Sequence, residues 1–204
     1  MVEIAKPSPK EVEKYLKRWD GLDNYVFQEQ ALNRLFFKMC PKNNDIHDVL
    51  LKSSVLNDFY GTNIFSIFPV AQHILEMDID KKLEAGDLTL VNEITAVKTG
   101  GKVKHFYSFA TKYCSHHQPL KFAIYDYYVE RCLMYFKRQD KFAKFKLDDL
   151  KDYPKFMEVL LQFRDFYGLS SYNLKQIDQY LWQLGKEYFP RDYNKKSANK
   201  EGRG

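Results

Sequence analysis

The chain has 204 residues, 45% of them hydrophobic and 16% aromatic, which suits one large globular domain or two lobes over a shared core and excludes an extended disordered chain. The net charge is +5, but residues 191–204 alone carry five Lys or Arg against two acids, so charge by itself does not name nucleic acid as a partner. No apolar run approaches the ~18 residues of a membrane span, the start MVEIAKPSPKEVEKY has no signal-peptide core, and the three cysteines (Cys40, Cys114, Cys132) form no CxxC. The expectations are a reducing cytoplasm, free thiols, no membrane, no metal and no cofactor.

In chain order, Ser8-Pro9-Lys10-Glu11 is a capping box and starts a helix that runs to about Trp19. A second helix fits NYVFQEQALNRLFFKMC, with Val26, Ala31, Leu32, Leu35 and Phe36 along one face and Pro41 closing it. Asp45 caps a third, IHDVLLKSSVLNDFYG, whose apolar residues recur at helical spacing. Pro69 places the start of a fourth near Phe68, and Gly86 divides DIDKKLEAGDLTLVNEITAV into two short helices. After the turn KTGGK a helix is predicted from about Val103 to His116, then a loop, then a helix from Asp126 to Arg138. Two more follow, YPKFMEVLLQFRDFYG ended by Gly168 and NLKQIDQYLWQLGKEYF ended by Pro190. No stretch alternates with period two for long and no internal repeat is present. The fold class is therefore all-α, a bundle of nine or ten helices with short connections over residues 1–190, in one or two lobes, followed by a polar basic tail over 191–204.

Four features could carry chemistry. A glycine hairpin between two helices, VKTGGKVKHF, leaves amide groups at the start of the second helix able to hold a phosphate, with Lys98, Lys102 and Lys104 adding charge. The same residues fit an ordinary loop with solvated lysines. Asp126 stands alone between FAIY and YYVERCL, either as a helix cap or as a catalytic carboxylate held rigid by capping. His116 and His117, with Cys114 nearby, lack paired ligand spacing and suit caps on the last carbonyls of their helix; Lys112, one turn earlier, either snorkels at the surface or lines a cleft. Most aromatic residues belong to the core, but Tyr125, Tyr127 or Trp182 could stack on a base. Asn57, Tyr60 and Asn63 could read a base edge or fill a gap, or could simply turn the chain at Gly61.

The order of glycine hairpin, helix, and apolar–Asp step opening another helix resembles the helix-hairpin-helix DNA glycosylase superfamily. KTGGKV is similar to the Gly-x-Lys-Val part of that hairpin, and FAIYDYYVERCL to the aspartate step. The resemblance implies two α-helical lobes with an interlobe cleft, a hairpin gripping double-stranded DNA, and a nucleotide flipped into the cleft for cleavage of its N-glycosidic bond. Carried over by position, Asp126 is the catalytic aspartate and Lys102 the lyase lysine, with Gly100 and Gly101 supplying hairpin amides and Lys98 and Lys104 phosphate contacts. Asn57, Tyr60, Tyr125 and Trp182 are the base-pocket candidates. Lys98 stands where the family has its first hairpin glycine, and the loop CSHHQPLKF lengthens the interval to Asp126, so Lys104 is the alternative nucleophile. The alternative function is a non-catalytic helical module binding DNA or protein, and oligomeric state is open.

Overall fold

A computed structural model describes residues 4–191, so the predicted tail lies outside the described residues but for Arg191. Ten α-helices and one two-stranded sheet make up the regular structure of the described residues. Helix α1, Pro9–Trp19, starts as its sequence predicts: Ser8 accepts from the Glu11 amide at 3.3 Å and proline takes the first turn. Helix α2 covers Asp23–Arg34. The predicted continuation is not α-helical: Leu35–Met39 widen into a π segment closed by Cys40 N–H to the Leu35 carbonyl at 2.8 Å. Helix α3, Ile46–Tyr60, is capped by Asp45 and ends at Gly61 with φ 55°. Helices α4 (Phe68–Glu76), α5 (Asp80–Ala85) and α6 (Thr89–Thr95) follow, with Gly86 separating the last two as predicted.

The glycine turn differs from the prediction. It joins two strands, β1 (Ala96–Thr99) and β2 (Lys102–His105), paired antiparallel with Thr99 opposite Lys102. Gly100 and Gly101 both have positive φ, 58° and 75°, which is the geometry of the two-residue turn that suits a twisted hairpin. Their amides therefore do not head a helix.

Helix α7, Tyr107–His117, is the centre of the core: every residue from Phe109 to His117 is buried. Helix α8 (Tyr127–Asp140), a 3-10 turn at Asp148–Lys151, α9 (Tyr153–Phe166) and α10 (Leu174–Tyr188) complete the chain. Asn173 and Gln176 form a reciprocal capping box at the start of α10. Helix α10 packs on α8 and α1, while α7 packs on α6 and α3, and α3 on α4. The two groups of helices share one hydrophobic core. All three cysteines are free and buried. No helix among the described residues is long and apolar enough to cross a membrane.

Candidate functional site

A cleft of about 650 Å³ opens where the two helical groups meet, lined from α2, the end of α3, the start of α7, residues 124–130 and α10. Its chemistry begins on α7. Lys112 is only 4% exposed, yet it lines this cleft. Its Nζ donates to Ser108 Oγ at 2.5 Å and sits 5.1 Å from the centre of the Tyr60 ring, and it forms no ion pair among the described residues. Burial lowers its pKa, Asp126 and Asp178 pull it back up, and Arg191 adds to the lowering.

Asp126 reaches the same cleft through a backbone staple. Ser108 Oγ donates to the Tyr125 carbonyl at 3.2 Å, and the Tyr125 amide donates to Thr111 Oγ1 at 3.2 Å. The residue before Asp126 is thus tied to the turn of α7 that carries Lys112. Asp126 Oδ1 accepts from the Tyr128 and Val129 amides at 2.8 and 2.9 Å. The two sequence readings of this aspartate are therefore both met: it caps α8 and it lines the cleft.

Helix α10 adds Asp178 and, one turn on, Trp182. Asp178 Oδ1 is buried without a hydrogen-bond partner, and so is the hydroxyl of Tyr107, another lining residue. Burial pushes the Asp178 carboxyl up to about 7 against the pull of Lys175, with Asp126 raising it further and Lys112 opposing. Lys175 pairs with Glu29 at 3.2 Å; burial disfavours its charge, but Tyr60, Asp178 and Glu29 outweigh that and hold its pKa at about 12. Trp182 belongs to a ring cluster with Trp19 at 5.8 Å and Tyr25 at 4.8 Å. Lys186 lies over Tyr25 and Trp182 at 4.8 and 4.6 Å.

The other predicted residues fall as follows. Tyr60, Tyr125 and Trp182 line the cleft. The Tyr125 hydroxyl is already engaged by Glu130 and Lys151, which makes that ring a wall. Asn57 is not in the lining; it clamps the loop after α3, with Oδ1 accepting from Thr62 Oγ1 at 2.6 Å and from the Ile64 amide at 3.0 Å. Gly100, Gly101, Lys98, Lys102 and Lys104 are exposed on the hairpin and absent from the lining, where β2 is represented by His105. Partners in a hairpin share a face and neighbours alternate, so Lys102 and Lys104 stand on one face and Lys98 on the other. The hairpin lysines therefore form no single cluster.

His116 and His117 are not carbonyl caps. Both are buried: His116 Nε2 lies 2.9 Å from the Tyr60 hydroxyl and His117 Nε2 3.3 Å from Lys52 Nζ. Burial, with Lys175 and Lys112, lowers His116 to about 3, so its ring is neutral. Among the described residues no group of three His, Cys, Asp or Glu is disposed to hold a metal ion.

Residues 11–121 match the model of the HI_0787_N family, described as an N-terminal domain. The chain belongs to this family. It is 55% identical over 150 residues to an uncharacterized protein of Haemophilus influenzae, a match covering 73% of this chain and 72% of that protein. No solved structure matches. The family domain contains Lys112, Tyr60 and Glu29, whereas Asp126 and Asp178 lie beyond it. The cleft is thus built jointly by the family domain and the helices that follow it.

Proposed function

We propose that this cleft receives a nucleotide extruded from double-stranded DNA and that the chain is a base-excision glycosylase whose nucleophile is Lys112. The observation that carries the reading is a buried amine without an ion-pair partner, sharing a cleft with a capped carboxylate. Burial favours the neutral amine, the form that can attack a sugar carbon. The Lys112 nitrogen would bond to C1′ as the base departs with the electrons of the N-glycosidic bond. The Asp126 carboxylate would stabilise the positive charge that develops on the sugar. Loss of the amine proton and opening of the sugar ring then give a Schiff base. Trp182 would offer a stacking surface, and the unpartnered Asp178 and Tyr107 oxygens would meet polar atoms of the base.

Lys102 and Lys104 are too far out on the hairpin to serve as nucleophile in this scheme; with Lys98 they remain candidates for phosphate contacts. The setting would be the cytoplasm, where the buried thiols stay reduced.

Borohydride trapping on a duplex holding an abasic site tests the proposal. Lys112→Ala should lower adduct formation by at least about 100-fold, and Asp126→Asn by about 10-fold or more, while Lys102→Ala stays within about twofold of the native protein. Asparagine is also a good cap, so Asp126→Asn should keep stability within about 1 kcal/mol in urea unfolding. An adduct that survives Lys112→Ala removes the proposed nucleophile. Duplex binding without any adduct would assign the cleft to a non-catalytic DNA-binding module.

A further inference from the structure

The loop between α3 and α4 presents an apolar ring to solvent beside the cleft. Thr62 and Asn63 line the cleft, and two residues further on Phe65 is 102% exposed. The loop around it is tied down. Asn57 accepts from Thr62 Oγ1 and the Ile64 amide, and its Nδ2 donates to the Ile64 carbonyl at 3.2 Å. Ile64 itself is buried in the core, and Asn63, at φ 57°, donates from Nδ2 to the Gly61 carbonyl at 2.9 Å. Ile64 thus faces inward under a side-chain clamp on both of its backbone polar groups, and the next residue is thrust outward. A large apolar ring in full contact with water is unfavourable, and a clamped loop gives it no route to fold back onto the core.

We propose that Phe65 is a wedge that enters the base stack of double-stranded DNA at the step from which the cleft takes its nucleotide. The inference rests on the reading of the cleft given above. A flat apolar side chain on a rigid loop at the cleft border fits the gap that extrusion leaves, because the exposed faces of the flanking bases are themselves flat and apolar. Membranes and second copies of the chain also bury exposed rings. The border position beside Thr62 and Asn63 favours the duplex over both.

The probe is a duplex carrying tetrahydrofuran, an abasic-site analogue, next to 2-aminopurine, whose emission rises when its stacking is disturbed. The same strand without its complement is the control. Native protein should raise the emission of the duplex several-fold. Phe65→Ala should abolish that rise and weaken duplex binding by about tenfold, leaving single-strand binding and thermal stability unchanged. Asn57→Ala, which keeps the ring and frees the loop, should reduce the rise part-way. A full rise with Phe65→Ala, alongside native trapping through Lys112, overturns the wedge alone. No duplex binding by the native protein overturns the cleft reading and the wedge together. A dimer or a vesicle association that Phe65→Ala breaks while the emission rise persists assigns the ring elsewhere and also overturns the wedge.

Discussion

Two buried lysines in this protein have opposite surroundings. Lys52 is wholly inaccessible, and its Nζ donates to the Lys42 carbonyl and to Asn43 Oδ1, each at 2.7 Å. It is a locked strut of the core, apart from the cleft. Lys112 keeps one good side-chain partner, the Ser108 hydroxyl, and borders open space. That difference separates a structural amine from a chemical one. Asp178 makes an analogous case among the acids. Its carboxyl holds its proton up to about 7 in the folded protein, against an ordinary 3.8. Between those values the folded state binds more protons than the unfolded state. Stability from this residue is therefore greatest at the acid end and falls as pH rises through the window, levelling off above about 7. Thermal melts of Asp178→Asn and native protein from pH 4 to 8 should show the variant gaining on the native protein as pH rises. A difference that is flat across the window would mean Asp178 titrates normally.

At the scale of elements, the spacing of α8 and α10 frames the cleft, since one carries Asp126 at its head and the other Asp178 and Trp182. Gly185 sets that spacing. A Cβ there would stand 2.6 Å from Tyr128 Cβ and 2.7 Å from the Tyr128 carbonyl oxygen, and backbone cannot give way cheaply. Gly185→Ala should cost about 2–3 kcal/mol in urea unfolding and lower trapping by the fraction that survives folded, because α10 must shift off α8. Stability unchanged within about 0.5 kcal/mol would show that the contact relaxes freely. Most helix starts were legible because their signals are local: Ser8 with Pro9, Asp45, Asp126 and Asn173 all act on their own first turn. The hairpin was misread because each strand is only four residues long, too short for alternation to stand out, although Gly-Gly between VKT and KVK is a two-residue turn signal. The π segment has no local signal at all. Asp126 was legible as a cap and as a lone acid. Lys112 left a weaker mark, a lysine inside FATKYC with no acid one turn to either side, and its burial depends on α3 and α10 arriving from distant parts of the chain. Asp178 was hidden in a helix whose apolar face gave no reason to single it out.

For the whole molecule, the position of the cleft follows from the packing of two helical groups over one core. The family domain over residues 11–121 supplies the amine, and the helices after it supply the two acids. Neither part holds the full set of groups, which explains why the site spans the boundary. The hairpin, with lysines on both faces, projects from the same assembly and is suited to backbone contact spread over several phosphates. The account depends on chemistry occurring at the amine inside the cleft and not at those outer lysines. The most direct measurement is tandem mass spectrometry of proteolysed protein after borohydride trapping on an abasic duplex, which identifies the residue that carries the reduced sugar. The account predicts modification at Lys112; modification confined to Lys98, Lys102 or Lys104 would contradict it.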